Sequence, residues 1–274
     1  PTQTKKRKMA SVPASAPASF SLQNRVIIVT GGASGLGAAM CRALVAAGAS
    51  LAIADRNAAG AATVATALHA AFPEARVTTH TVDVGVEEEV AACVAAVVQQ
   101  HGRVDGLVTS AGFAEGWPAE KYPVDRMRAL WGVNVDGTYL FATKVAGWMI
   151  DNGVTGSMVF IGSMSGAIVN VPQLQTPYNM SKAAVRHMAA SLAVEWAQKG
   201  IRVNCISPGY MKTALTEAIL EAQPELHPTW VGMTPMKRMG NPEDLDGPVT
   251  FLLSDAARFV TGTELKVDGG YTLV

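Results

Sequence analysis

Three features of the sequence predict a doubly wound α/β fold, a seven-stranded parallel sheet with helices on both faces, over residues 21–274. Short, nearly all-apolar β-branched runs alternate with long Ala-rich stretches, as expected of strands buried on both sides and joined by crossover helices. The first run feeds a glycine-rich turn that opens a helix. No Gly/Ser linker and no internal repeat interrupts the alternation, so one domain is expected.

Strands are expected at Arg25–Thr30, Ser50–Ala54, Val77–Val82, Gly106–Thr109, Ser157–Ile161, Ile201–Ile206 and Glu264–Val267. Helices are expected near 35–47, 57–71, 86–101, 125–151, 177–199 and 242–254. In the first of these, Leu36, Met40 and Leu44 recur every four residues as a buried stripe, and Gly48 is placed to stop it. Right-handed crossovers put the ligand site of such a sheet beyond the carboxyl ends of its strands. That directs attention to Thr30–Gly37, Asp55, Asp83, Thr109–Gly112, Gly162–Gly166 and Ser207–Thr213, where the unusual residues fall.

Composition narrows the function classes. Of 274 residues 49% are apolar and 16% charged, which excludes a wholly disordered chain. Lys and Arg number 22, as do Asp and Glu, and Lys5, Lys6, Arg7 and Lys8 sit together in an acid-free tail. The remaining 18 basic residues face 22 acidic ones, so no basic field argues for a nucleic-acid partner. No apolar run of about 18 residues predicts a membrane span. Residues 1–20, rich in Ala, Ser and Pro, are expected to be a disordered basic tail, and no secretory signal is expected. Cys41, Cys93 and Cys205 are odd in number and far apart, which fits small core residues of a reduced, cytoplasmic protein. His69, His80, His101, His187 and His227 are scattered without metal-ligand spacing, so no metal is expected.

Two motifs carry chemistry. Thr30-Gly31-Gly32-Ala33-Ser34-Gly35-Leu36-Gly37 leaves the first strand and enters the first helix. Its glycines let a pyrophosphate approach the backbone, and the helix N-terminus offers free N–H groups and a positive dipole end. Asp55 ends the second strand, where a carboxylate accepts hydrogen bonds from both ribose hydroxyls of an adenosine and repels a 2′-phosphate. Arg56 follows it and Ser34 is neutral, and the balance favours NAD over NADP. Thr176 suits an N-cap and Pro177 the first helical turn, which puts Tyr178 and Lys182 on one face. A nearby ammonium, together with an oxidised nicotinamide, lowers the phenol pKa and fits the tyrosine for general acid–base work.

These residues, with Ser110-Ala111-Gly112, Asn134 and Ser163 in order, resemble the short-chain dehydrogenase/reductase family across residues 21–274. The resemblance implies a Rossmann-like NAD-binding domain and a catalytic tetrad. Tyr178 would be the acid/base, with Lys182 lowering its pKa and holding the nicotinamide ribose. Ser163 would orient the substrate oxygen, and Asn134 would hold a water of the proton relay. Val133, Asn134, Val135 and Gly137 weaken the helix there, so a kink that frees a carbonyl is expected. The implied cofactor contacts are Gly31, Ser34, Gly35, Leu36, Gly37, Asp55, Arg56, Asp83, Val84, Ser110, Ala111, Gly112, Tyr178, Lys182, Pro208, Gly209, Met211 and Thr213.

Two departures stand out. Thr109-Ser110-Ala111-Gly112 replaces the family's common Asn-Asn-Ala-Gly, and Ser110 is expected to hydrogen-bond backbone there. Ser163 precedes Tyr178 by 15 residues where many members have 13, a count that reaches Ser165. Ser163 is preferred because it directly follows the fifth strand, with Ser165 as the alternative. The stretch "GSMSGAIVNVPQLQTPYNMSK" resembles the branch acting on galactitol, mannitol, arabinitol and sorbitol, and the C-terminal region looks most like galactitol dehydrogenases.

The expected function is therefore NAD-dependent interconversion of a polyol, or another secondary alcohol, with its ketose or ketone. Ser163, Ser165, Asn170, Gln173, Tyr178 and Trp230 would meet the substrate, with Gln175 beside them; Met233 and Met236 lie with Trp230 in the segment 209–240, as part of a lid or in ordinary packing. Asn170, Gln173 and Gln175 both donate and accept, which suits hydroxyls, although bonds to their own loop backbone would occupy them instead. A substrate lid is expected near 209–240, and a homotetramer built on the helices near 125–151 and 177–199. The alternatives are a 3-oxoacyl thioester, hydroxysteroid or small-diol enzyme, and a non-catalytic NAD(H)-binding scaffold.

Overall fold

A computed structural model describes residues 19–274. The Lys5–Lys8 run and all but the last two residues of the expected tail lie outside the described residues. Seven parallel strands form one sheet: β1 (Val26–Thr30), β2 (Ser50–Asp55), β3 (Val77–Thr81), β4 (Gly106–Thr109), β5 (Gly156–Ile161), β6 (Ile201–Pro208) and β7 (Glu264–Val267). Their spatial order is β3-β2-β1-β4-β5-β6-β7. The order reverses between β1 and β4, and a crevice opens outside their carboxyl ends.

Helices α1 (Gly35–Ala46), α2 (Ala58–Ala71) and α3 (Glu87–His101) cross over between the early strands. After β4 come α4 (Val124–Trp131) and α5 (Gly137–Asp151), and after β5 the long α6 (Thr176–Trp196). Alternate residues of β1 enter opposite cores. Ile27 and Val29 pack with Met40 and Leu44 of α1 and Leu68 of α2. Val26 and Ile28 pack with Val90 and Val97 of α3, Phe141 of α5 and Val185 of α6. A period of two, buried on both sides, explains why the strands read as continuous apolar runs.

Within the expected helix over 125–151, the kink expected around Asn134 is a π turn at Gly132–Asp136. The structure departs from the sequence reading in two places. Thr176 is the first helical residue, not the cap, and the side chain of Gln175 at the cap position bonds elsewhere. The segment after β6 holds two unforeseen helices, α7 (Ala214–Ala222) and α8 (Leu226–Met233), and then α9 (Asp246–Leu253). Thr213 and Thr216 form a reciprocal capping box that starts α7. Leu226, Trp230 and Met239 make a small separate core with Tyr210 against it. Met211 bridges Gly240, so the segment returns to where it left β6. Among the described residues no helix is long and apolar enough to cross a membrane, and no three His, Cys, Asp or Glu side chains cluster as metal ligands.

On the edge strand β3, the Thr78 hydroxyl lies 3.0 Å from His80 Nε2 and 2.9 Å from His101 Nε2 of α3. Burial, then the charges of Arg76 and His80, depress the His101 pKa to about 4, and burial lowers that of His80. Both imidazoles thus fold neutral and bind protons more readily unfolded. Their contribution is complete above the ordinary pKa of about 6.5 and is lost as pH falls towards 4. Thermal unfolding followed from pH 7 to pH 4 is expected to fall less steeply for His101→Gln than for the wild type; parallel curves would exclude His101 as a source of the acid sensitivity.

Candidate active site

A crevice of about 870 Å³ lies along the carboxyl ends of the strands, lined by every expected cofactor and substrate residue. Asn134, buried behind it, is the one expected site residue that does not line it. At one end the β1 turn is packed so closely that side chains are excluded. A Cβ on Gly37 would fall 2.1 Å from the Gly31 carbonyl oxygen, and one on Gly31 would fall 2.7 Å from Ala111 Cα. A Cβ on Gly35, by contrast, would meet open space. Ser34 caps α1 without a side-chain bond, and the first turn holds no acid. Free N–H groups, a positive dipole end and open backbone match a pyrophosphate.

Asp55 is already oriented by backbone: Oδ2 accepts from Ala33 N–H at 3.0 Å and Oδ1 from Asn57 N–H at 2.9 Å. Each oxygen keeps a further lone pair for a hydroxyl donor. Arg56 beside it is exposed. Asp83 is held by Gly85 N–H at 2.9 Å, with the buried Val84 next to it. At the β4 end, Ser110 N–H bonds the Thr30 carbonyl and Ala111 N–H the Thr30 hydroxyl. The expected bond from the Ser110 hydroxyl to backbone is not made among the described residues, because Thr30 already serves both amides. The Thr109 hydroxyl is buried without a partner among the described residues.

The start of α6 carries the chemical groups. Lys182 is 6% exposed, its Nζ donates to the Ile161 carbonyl at 2.9 Å, and it stands 5.8 Å from the Tyr178 ring centre. Burial depresses its pKa to about 8. The Tyr178 phenol is raised from its ordinary value by burial, while the Ser163 hydroxyl acts in the opposite direction. Lys182 approaches the face of this ring; the expected lowering of the phenol pKa calls on an oxidised nicotinamide beside the pair as well as on the ammonium. Ser163, not Ser165, is the serine that acts on the phenol. Ser163 Oγ accepts from Ser165 N–H at 3.1 Å.

The Asn134 side chain is fully engaged, accepting from Phe113 N–H at 3.0 Å and donating to the Phe113 carbonyl and Ser181 Oγ at 3.1 and 3.0 Å. The carbonyl expected to be free accepts the Thr138 hydroxyl at 2.9 Å.

The other wall is built from amides and aromatics. Asn170, Gln173 and Gln175 bond side chains and no loop backbone. Tyr210, which sequence reasoning missed, sits at their centre: it donates to Gln173 Oε1 at 2.8 Å and accepts from Asn170 Nδ2 at 3.2 Å. Its ring stacks on Trp230 at 4.1 Å and meets the edge of Tyr271. Trp230 Nε1 is buried without a partner among the described residues. The only sequence signal for Tyr210 was its place between Gly209 and Met211.

Compared with known proteins, residues 31–272 match the family model described as Enoyl-(Acyl carrier protein) reductase. The chain belongs to the short-chain dehydrogenase/reductase family. It is 41% identical over 266 residues to D-arabinitol 2-dehydrogenase [ribulose-forming] of Candida tropicalis, covering 92% of this chain and 94% of that one. To galactitol 2-dehydrogenase (L-tagatose-forming) of Cereibacter sphaeroides it is 41% identical over 254 residues, 93% and 97% of the two chains. A gluconate 5-dehydrogenase structure from Burkholderia cenocepacia, in complex with NADP and tartrate, superimposes with a TM-score of 0.87 at 33% identity, covering 93% and 98%. For a short-chain dehydrogenase/reductase, the donor set at the glycine turn and Asp55 fits a nicotinamide dinucleotide, with Pro208, Gly209, Met211 and Thr213 lining the crevice at the end of β6.

Proposed function

We propose that the protein is an NAD-dependent polyol dehydrogenase that interconverts a sugar alcohol and its ketose. The reading is carried by one juxtaposition: Ser163, Tyr178 and Lys182 converge in a crevice whose far wall is lined by Asn170, Gln173 and Gln175. Amide edges match hydroxyls and would be left unpaired by an apolar substrate such as a steroid. The names of the arabinitol and galactitol relatives support the same class.

In this reading the dinucleotide lies along Gly31–Gly37, Asp55, Arg56, Asp83, Val84 and Ser110–Gly112, and supplies the hydride acceptor. Tyr178 exchanges a proton with the carbinol oxygen, and Ser163 donates a hydrogen bond that holds that oxygen in place. Lys182, desolvated and fixed to the Ile161 carbonyl, gains stability as an ammonium when the phenol loses its proton, so the two groups titrate together. Asn134 keeps the loop after β4 and Ser181 of α6 in register beside them, and it holds a water of the proton relay. The segment 209–240 acts as a lid over the substrate. The protein works in the cytoplasm as a homotetramer; exposed Tyr139 on α5 and Met180 and Val194 on α6 support that assembly.

Purified protein is expected to reduce NAD, followed at the NADH absorbance, with hexitols or pentitols. Tyr178→Phe should retain NADH binding while losing at least about a hundredfold in kcat. Turnover of steroids or acyl thioesters alone, or near-normal activity of that variant, would overturn the assignment.

Asp55 supports NAD over NADP through its free lone pairs and its charge. Asp55→Ala removes the repulsion of a 2′-phosphate and also loosens the turn that it holds through Ala33. Steady-state kinetics should therefore show NAD use falling by about tenfold or more and the NADP/NAD ratio rising; an unchanged ratio would remove Asp55 from the ribose site.

A further inference from the structure

The network around Tyr210 is a chain of hydrogen bonds in which each link constrains the next. Gln175 Nε2 donates to Asn170 Oδ1 at 3.2 Å, to Asn179 Oδ1 at 2.9 Å and to Ser165 Oγ at 3.4 Å. Asn170 Nδ2 then donates to the Tyr210 hydroxyl, which passes its single proton to Gln173 Oε1. Asn170 is 2% exposed and so cannot exchange these partners for water. In this arrangement Gln173 keeps its N–H edge free and Gln175 its carbonyl edge. If all three amides and Asn179 were flipped together, the hydroxyl would relay the opposite polarity, and Gln173 would show a carbonyl and Gln175 an N–H edge. Either way the two glutamines present opposite edges to the crevice they both line. A hydroxyl does this because it donates and accepts through one atom, and burial keeps this phenol protonated.

We infer that Tyr210 is a positioning residue for substrate recognition, tying Gln173 to Asn170 and Gln175 so that the wall offers one donor and one acceptor to neighbouring hydroxyls of a polyol. This rests on the polyol reading above. An alcohol with a single hydroxyl leaves both edges desolvated and unpaired, which is the costly kind of mismatch. Stacking on Trp230 holds the ring, so the hydroxyl is placed by packing and not by the substrate.

The test is steady-state kinetics with NAD for the wild type, Tyr210→Phe, Gln173→Ala and the double variant, on a hexitol or pentitol and on 2-hexanol. Tyr210→Phe keeps the stacked ring and deletes only the oxygen. It is expected to raise KM for the polyol about tenfold, with a smaller change in kcat, and to lower polyol-over-2-hexanol selectivity by a similar factor. Gln173→Ala should reproduce this, and the double variant should be no worse than Gln173→Ala alone, since Tyr210 acts through Gln173. NADH affinity, read by fluorescence, checks that each variant is folded. The inference fails if Tyr210→Phe keeps the wild-type KM, if kcat falls as much as KM rises, or if the two substitutions multiply. A wild type with no polyol turnover at all overturns the polyol reading itself, and the inference with it.

Discussion

The arrangement of the site depends on one buried cation. Lys182 is removed from water and has a single hydrogen-bond acceptor within the described residues, the Ile161 carbonyl at the end of β5. An ammonium in that position costs heavily unless the surrounding backbone is fixed to receive it. A Cβ on Gly112 would crowd Asn134 Oδ1 at 3.1 Å and touch Nζ at 3.5 Å, so the β4 loop runs close beside both groups. Gly166 packs as tightly on the same helix, where a Cβ would fall 2.7 Å from the Lys182 carbonyl carbon. The ends of β4 and β5, the π turn and α6 therefore meet around one charge, and the depressed pKa is the physical cost of that meeting.

The π turn shows how the fold accommodates this. A regular helix over 124–151 would carry the Asn134 side chain along its own surface. The widened turn lets its amide take both backbone groups of Phe113 and the Ser181 hydroxyl. Those bonds join the loop after β4 to the helix that bears Tyr178 and Lys182, and Ser181 in turn bonds the Tyr178 carbonyl at 2.8 Å. Asn134 thus acts on the geometry of α6 through its side chain, as a separate matter from any water on its carbonyl.

What could be read in the sequence follows from periodicity. The seven strands and the helices α1, α2, α3 and α6 were legible because each presents a buried face long enough to impose a period of two or of about 3.6. The glycine turn was legible because close backbone approach admits only glycine, as the 2.1 Å separation at Gly37 makes plain. Helices α7 and α8 were not legible. Each has nine residues or fewer, and Pro224 and Pro228 break the pattern between and within them. Spacing reveals that a lysine is one turn away from Tyr178, but not that burial raises the phenol and depresses the ammonium. Tyr210 was invisible because its partners lie 37 and 40 residues away and meet it only in the folded chain.

Recognition and catalysis are built differently in this molecule, and the difference has a physical reason. Tyr178, Ser163 and Lys182 hang from strand ends and from one long helix, elements braced by two large cores. The amide wall hangs from the loop between β5 and α6 and from the small Leu226–Trp230–Met239 core. A proton transfer tolerates little error in distance, so its groups belong on the rigid sheet. Hydroxyl recognition tolerates more, since each amide edge accepts a range of angles, provided that the polarity of neighbouring edges is fixed. A network of side-chain hydrogen bonds fixes polarity without fixing the backbone. The loop and the α7–α8 segment can therefore vary in shape, and with it in the polyol admitted, while the chemistry below them stays unchanged.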